Sequence, residues 1–527
     1  MAALAVYAVV SIALPLEAGR DLGRYLQAYA QLFEEHAIYP HVMLTRGPLA
    51  PLVAGAMLDA GTAAVEVLSA ALYAASVLTW WLVARRFGAV AGLLAAVALL
   101  CYPGYVLLFH RLSSDMLFAA AFALVALLVA RATERPSAGR AAALGLGVAT
   151  LILVRPVAQV LLVLALVPLL TAPAWRGRVA GASAFLVAAL LPLLAWAGHN
   201  HARLDDFTVV RGGGASLPLF RAFVVDRIVE PENGSASREL AGAVQRDLLP
   251  NEPYRSYDVG LEEFFASGSF RMHEDLVALA DRTWGWDDDY RQLGRVGREA
   301  VLAHPWSYAR GVAADLRDLV VWPLYVGAGS DDVAPGPTSV GGATPDPAPA
   351  PDLPVPSEGE PVPASRMPAY LSTPDQRISV VWTSPTDHSI TFRDPADGAR
   401  AAEIDRRVGE LVGALPDRGA RAELVDRLNS ASRWYPRPVL WLLLGLVTVI
   451  LRRPRGAGTA FVLAGAALLV LLGTALAVYA VPDYAVPVVP AFIVLAAAGV
   501  LGRRSAAAEP VPDLSVHRRA RAIPSGS

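Results

Sequence analysis

Residues 62–86 read TAAVEVLSAALYAASVLTWWLVARR. The chain passes from Thr62 to Ala84 with one charged residue, Glu66, before it meets Arg85 and Arg86. A helix needs about 20 apolar residues to cross the hydrocarbon layer of a bilayer. Within a helix every backbone polar group finds its partner inside the segment, as a dry environment demands. The stretch therefore reads as a membrane helix that ends at a charged boundary. Working outward, runs of the same kind occupy 2–17, 88–109, 113–131, 140–154, 157–173, 179–199, 437–451, 457–480 and 485–502. The predicted fold is an α-helical polytopic membrane protein with about ten transmembrane or partly re-entrant helices. The first run has no basic residue ahead of it and no small-residue cleavage site before Glu17, so it reads as a membrane helix, not a signal peptide.

Composition agrees. Of 527 residues, 55% are hydrophobic and 17% charged, where a soluble domain carries about a quarter charged. This excludes a water-soluble enzyme and a disordered chain. The net charge of −2, from 45 basic and 47 acidic residues, offers no broad basic surface to nucleic acid. Every basic residue is arginine. With the abundance of Ala, Gly, Pro and Val, that fits a GC-rich bacterial genome, and it removes lysine Schiff-base chemistry. The single cysteine, Cys101, excludes an intrachain disulfide and a cysteine-cluster metal site; in its apolar run it reads as a small buried hydrophobe.

Arginine placement predicts orientation. Arg85 and Arg86; Arg131, Arg135 and Arg140; Arg176 and Arg178; and Arg452, Arg453 and Arg455 recur in alternate short loops, and the tail adds Arg503, Arg504, Arg518, Arg519 and Arg521. By the positive-inside rule these face the cytoplasm of a bacterial plasma membrane, and loop 18–61 and region 200–436 face outward. The expected organisation is a transmembrane module over 1–199 and an extracytoplasmic helical region over 200–328, with helical periodicity at 296–320. A Pro-rich linker over 329–368 follows. Region 369–436 is expected to hold a strand pair (378–382 and 389–392) and a helical stretch over 396–432, with further membrane helices over 437–504 and a cytoplasmic tail over 505–527. The mixed outer region thus falls between the seventh and eighth helices. The run Leu319 to Val326 is too short to span and reads as interfacial.

Charges at a membrane boundary are costly unless paired or used, and the outer-facing loops are dense with them. Asp21 follows the first helix. It could serve as a general base toward an arriving hydroxyl, or be a solvated helix-start acid beside Arg20 or Arg24. Arg46 precedes Gly47-Pro48, where the chain bends back; its planar fork suits a phosphate, or it snorkels to headgroups. Ser113 or Ser114 can cap the fourth helix, with Asp115 and Arg111 facing the same outer cavity as Asp21. Arg155-Pro156 breaks the positive-inside trend and calls for an anionic ligand or a structural carboxylate. His199 and His201 face one way if the stretch is extended, a poor metal site. The run Arg211-Gly212-Gly213-Gly214 could bring backbone N–H groups to a phosphate, or be a flexible turn.

These pieces occur in an order that resembles bacterial membrane glycosyltransferases of the GT-C superfamily, of the protein O-mannosyltransferase and lipid A aminoarabinose transferase type. Asp21-x-x-Arg24-Tyr25 resembles the acid motif of the first outer loop, and Arg46-Gly47-Pro48-Leu49 the basic motif that follows. Ser114-Asp115-Met116-Leu117-Phe118 resembles a later acidic motif and Leu153-Val154-Arg155-Pro156 a further segment. Trp196 through Gly214 is similar to the exit from the membrane. Asp483-Tyr484-Ala485-Val486-Pro487 resembles the RYxxP-like motif near the last helix. The resemblance implies an inverting glycosyltransferase that moves a sugar from a polyprenyl-phosphate donor to an acceptor hydroxyl on the outer face. It implies Asp21 and Asp115 as catalytic acids and Arg46, Arg111 and Arg155 as contacts to the donor phosphate. Arg24, Tyr25, His199, Arg211 and Tyr484 are the further substrate-binding candidates. The expected partners are membrane lipids, the polyprenyl-phosphate sugar donor and an acceptor that the sequence does not identify, with a protein, a glycolipid and a wall polymer all open.

Two departures stand out. Leu22 stands where an adjacent second acid is common, which weakens a metal site built on paired carboxylates. A divalent metal is left possible but without support in the sequence, and the lipid-linked sugar donor is the substrate the resemblance implies. Asp483 stands where a basic residue is common. The rival readings are a transporter or flippase of lipid-linked saccharides and a non-catalytic cell-envelope assembly protein on the same fold. Against the transporter, seven apolar runs precede the outer region and three follow it, with no internal repeat.

Overall fold

A computed structural model describes residues 1–34, 37–212, 217–252, 254–321, 365–368, 378–382, 388–416, 419 and 421–503. The chain opens with α1 (Ala2–Ala13) and a loop built from β1 (Glu17–Ala18), α2 (Leu22–Gln31), α3 (Pro40–Leu44) and α4 (Leu49–Asp59). Long α5 (Thr62–Ala84) leads to α6 (Ala89–Leu100), α7 (Pro103–Leu108) and β2 (Arg111–Leu112). Then come α8 (Ser114–Glu134), α9 (Ala138–Val154), a 3₁₀ stretch (Pro156–Ala165) running into α10 (Leu166–Thr171), and α11 (Trp175–Leu204).

The region expected to face outward, called the outer region below, follows. It comprises α12 (Leu217–Phe220) with a π-turn at Arg221–Val225, α13 (Ser235–Ala243), α14 (Leu261–Ser267), α15 (Phe270–Thr283), α16 (Arg291–Ala303) and α17 (Pro305–Val321). Next are the antiparallel strands β3 (Ser365–Pro368), β4 (Ile378–Trp382) and β5 (His388–Phe392), in the order β3-β4-β5, and the helices α18 (Pro395–Val412) and α19 (Ala422–Trp434). Membrane helices resume with α20 (Pro438–Arg452), α21 (Ala457–Ala477), short α22 (Pro482–Ala485) and α23 (Val489–Leu501).

Each of the ten expected spans meets an apolar helical segment. Five lie in helical stretches long and apolar enough to cross a membrane: Thr62–Phe87, Ser114–Glu134, Trp175–Leu204, Ala422–Arg452 (α19 and α20 taken together) and Ala457–Ala477. The other five are short, and Leu49–Asp59 is a further short apolar helix that the sequence reading did not count as a span. Two short ones have a physical explanation. The 3₁₀ stretch rises about 2 Å per residue against 1.5 Å in an α-helix, so 156–171 extends about 29 Å, close to the hydrocarbon thickness. Helix α23 is apolar all round, which marks a helix buried on every side. All its residues from Val489 to Ala498 are buried, so protein, not lipid, surrounds it. It packs on α20 with almost no space: a Cβ at Gly499 would lie 2.0 Å from Thr448 Oγ1, and one at Gly445 2.7 Å from a Leu495 side-chain carbon. Small residues that let backbones approach are the usual means of packing where lipid removes the hydrophobic drive.

The two ends of the bundle differ. Arg86 pairs with Glu134 at the end of α8. The Arg455 N–H bonds the Arg503 carbonyl at 2.8 Å, and the Arg503 N–H bonds the Phe87 carbonyl at 3.0 Å. The arginine-rich turns after α5, α8, α20 and α23 therefore share one end. The starts of α8 and α23 and the exits of α1, α9, α11 and α21 lie at the other, which carries the outer region. That region has its own core, including Leu219, Phe223, Leu240, Phe264, Leu276 and Leu293.

Several expectations are corrected. Run 88–109 is broken at Cys101-Tyr102, because Pro103 cannot continue α6. Cys101 at that break is exposed, not buried. His199 and His201 lie within α11, not in an extended stretch. The proposed linker 329–368 ends in β3, paired to β4 from Ser365 to Pro368. The rest of that Pro-rich segment, Gly213-Gly214, Leu324–Val326 and tail 505–527 lie outside the described residues.

Candidate active site at the non-arginine end of the bundle

The site begins with a two-residue parallel ladder. Glu17 and Ala18 of β1 pair with Arg111 and Leu112 of β2. The Glu17 N–H bonds the His110 carbonyl at 2.9 Å and the Gly19 N–H the Leu112 carbonyl at 3.1 Å. A Cβ at Gly19 would lie 2.6 Å from Ser113 Cβ, so only glycine lets the loop after α1 lie on the start of α8. This ladder sets Arg20 and Asp21 beside Ser114 and Asp115.

Asp21 takes the left-handed backbone (φ 64°) at the N-terminus of α2, a conformation Asp tolerates better than most residues. Its side chain does not cap the helix. It accepts a hydrogen bond from Arg46 Nη2 at 3.1 Å. The expected neighbour was Arg20 or Arg24; the partner is Arg46. Amphipathic α2 buries Leu22, Tyr25 and Leu26, and the Tyr25 hydroxyl donates to Ser114 Oγ at 3.0 Å. The Arg46 guanidinium stands 5.7 Å from the centre of the Tyr25 ring. Gly47 explains how Arg46 comes so close to the end of α9: a Cβ there would lie 2.1 Å from the Leu153 carbonyl oxygen.

The second half of the site is a chain of charges. Asp115, buried in the first turn of α8, pairs with Arg155. Of the two readings of Arg155, the carboxylate is thus present. Arg155 also lies 4.6 Å from the centre of the Tyr484 ring. The Tyr484 hydroxyl accepts from Arg20 Nη1 at 2.7 Å. Asp483 accepts from Arg111 at 3.3 Å and lies 3.6 Å from Arg20. Four arginines (Arg20, Arg46, Arg111, Arg155) and three aspartates (Asp21, Asp115, Asp483) are therefore gathered through these contacts. Such a cluster can receive a proton at a carboxylate and hold an anion on the arginine excess.

The remaining candidates have other partners. Arg24 reaches Glu274 of α15 at 3.4 Å, linking the first loop to the outer region. His199 stacks on Trp196, ring centres 4.9 Å apart. Arg211 is buried: it pairs with Asp206 and Asp281, each at 2.9 Å, donates to the Trp286 carbonyl at 2.7 Å and covers the Trp286 ring at 3.5 Å. Those contacts give it a structural place between Leu44, whose carbonyl its N–H bonds at 2.7 Å, and the outer region. The same seam holds His41, whose Nε2 lies 2.8 Å from the Tyr290 hydroxyl. Burial, reinforced by Arg211, Arg46 and Arg24, pushes the His41 ring down to about 3. Sequence reasoning left Arg20 and Asp483 out of the site. Both stand next to motif residues, but their pairing across 463 positions carries no local signal. Among the described residues, no group of three or more His, Cys, Asp or Glu is disposed to hold a metal ion.

Residues 48–199 match the family described as dolichyl-phosphate-mannose-protein mannosyltransferase. The matched stretch contains Arg111, Asp115 and Arg155. It bears out the GT-C resemblance carried by the motifs and supports a GT-C-type membrane glycosyltransferase. No curated protein matches the chain significantly. The solved structures that match include ArnT from Cupriavidus metallidurans bound to undecaprenyl phosphate, with 16% identity, a TM-score of 0.30 and coverage of 61% of this chain and 80% of that one. The apo state of ArnT gives 15% identity and a TM-score of 0.28 at the same coverage.

Proposed function

We propose that the chain is an inverting glycosyltransferase that uses a polyprenyl-phosphate sugar donor on the outer face of a bacterial plasma membrane. The observation that carries this reading is the Asp21–Arg46 pair set beside the Asp115–Arg155 and Asp483–Arg111 pairs, at the end of the bundle opposite the arginine-rich turns. The family match over the neighbouring helices supports it.

The acceptor hydroxyl oxygen attacks the anomeric carbon as the bond from that carbon to the phosphate oxygen breaks. The proton leaves the hydroxyl for the Asp21 carboxylate, and the polyprenyl phosphate departs with the bonding electrons. Arg46 orients Asp21 in the resting site and takes the phosphate when donor arrives, with Arg111 and Arg155 as further anion contacts. Asp115 holds Arg155 in place.

The test is transfer from a polyprenyl-phosphate sugar by purified protein, with the glycans and lipid-linked sugars of a deletion strain read by mass spectrometry. Asp21→Asn should insert normally and lower kcat by about 10²–10⁴-fold, the usual share of a general base. Full activity in that variant would sink the assignment. Arg46→Ala should chiefly raise KM for the donor; an unchanged donor dependence would remove Arg46 from the phosphate site.

A further inference from the structure

One link between the outer region and the membrane module is a buried side chain at the exit of α21. Arg221 lies in the π-turn after α12 and is fully buried. It donates through Nε and Nη2 to both Asp226 oxygens, at 2.9 and 3.0 Å, and through Nη1 to Asp315 Oδ2 at 2.5 Å. Nη1 also reaches the carbonyls of Ala475 and Val478 at 2.5 and 3.1 Å. These are end carbonyls of α21, which have no partner within the helix and favour a cation. The second oxygen of Asp315 accepts the Ala480 N–H at 3.2 Å, and the Tyr308 hydroxyl donates to the Leu476 carbonyl at 2.9 Å. A Cβ at Gly311 would lie 2.1 Å from Asp226 Oδ1 and 2.6 Å from Arg221 Nη2, so α17 is shaped to admit the pair.

Everything this assembly holds in the membrane module lies in residues 475–480. Three and four residues further on are Asp483 and Tyr484, which take Arg20, Arg111 and Arg155. A buried, fully directed guanidinium is an expensive way to hold a helix end, since two carboxylates must be desolvated with it. Its geometric return is a fixed exit from α21. We propose that Arg221 and Asp315 are positioning residues: they hold segment 475–480 so that Asp483 and Tyr484 stand at the arginine cluster, and so link the outer region to donor binding. The donor part rests on the glycosyltransferase reading; the positioning part does not.

Hydrogen–deuterium exchange by mass spectrometry on the full chain in detergent separates the two. In Asp315→Ala, amides of 478–486 should exchange at least tenfold faster, with peptides of the outer core (236–248 and 291–303) and of α8 unchanged. Asp315→Asn keeps an acceptor for the Ala480 N–H and should lie between Asp315→Ala and wild type. Asp483→Asn should leave exchange at 475–480 as in wild type. Donor KM should rise about tenfold in Asp315→Ala, with a smaller change in kcat. Unchanged exchange at 478–486 in a folded Asp315→Ala protein would overturn the proposal. So would a uniform rise across the chain in both Asp315 variants, which marks general stabilisation only. A local exchange change in a protein whose wild type transfers no sugar would leave the positioning role standing and defeat the glycosyltransferase reading.

Discussion

At the scale of single residues, the site is a set of charges that tolerate burial because each has a partner. Asp115 is the clearest case. Its side chain is 8% exposed and its partner is Arg155. Removing one member of a buried pair strands the other, at a cost of about 3–5 kcal/mol. Asp115→Ala should therefore lower the apparent melting temperature in detergent by more than the Asp115→Ala/Arg155→Ala double variant does. Additive losses would mean the pair is not coupled. His41 gives a pH signature. Its ring titrates at about 3 in the folded chain against an ordinary 6.5. Below pH 6.5 the unfolded chain takes up a proton that the folded chain refuses. Stability from this group is thus complete above pH 6.5 and falls as pH drops toward 3, by about 1.4 kcal/mol per unit. His41→Gln can keep the donor to Tyr290 and should flatten the stability-against-pH curve over that window; an unaltered slope would exclude His41 as its source. The types of these residues were legible in the sequence, and Asp21, Arg46 and Asp115 stood out there as candidates. The pairings were not, because Asp21 finds Arg46 and not its chain neighbours.

At the scale of elements, the helices were legible wherever an apolar run stood between breakers. The run 62–84 became α5 with the same bounds, because Gly61 and Arg85 mark both ends. Runs with internal proline were misread in length: Pro103 splits one run into two helices, and the stretch from Pro156 winds as 3₁₀. The tightest joint between elements is Gly47 against α9. Gly47→Ala puts a methyl 2.1 Å from a backbone oxygen that cannot swing aside. It should cost about 1–3 kcal/mol, as overpacking does, and displace Arg46. A shift of melting temperature and a raised donor KM together would show both effects; wild-type values for both would mean that α4 yields freely.

At the scale of the whole molecule, the arginine-rich turns and the acid–arginine cluster occupy opposite ends of the bundle. The positive-inside rule then predicts the outside for the cluster. In a Cys101→Ser background, Gly242→Cys should react with a membrane-impermeant maleimide in intact cells, and Gly139→Cys only after permeabilisation. Both glycines have open space around the Cβ position, so neither change should disturb packing. The reverse labelling pattern would invert the topology. The sequence by itself determined the apolar surroundings of this protein and where its apolar helices fall, because hydropathy acts on each segment independently. For the sidedness of the loops it supplied a prediction from arginine placement. Only the tertiary structure decided which charges meet. Arg20 with Asp483, Asp21 with Arg46 and Arg221 with the end of α21 depend on close backbone approach between segments far apart in the chain, and no local pattern of residues encodes that.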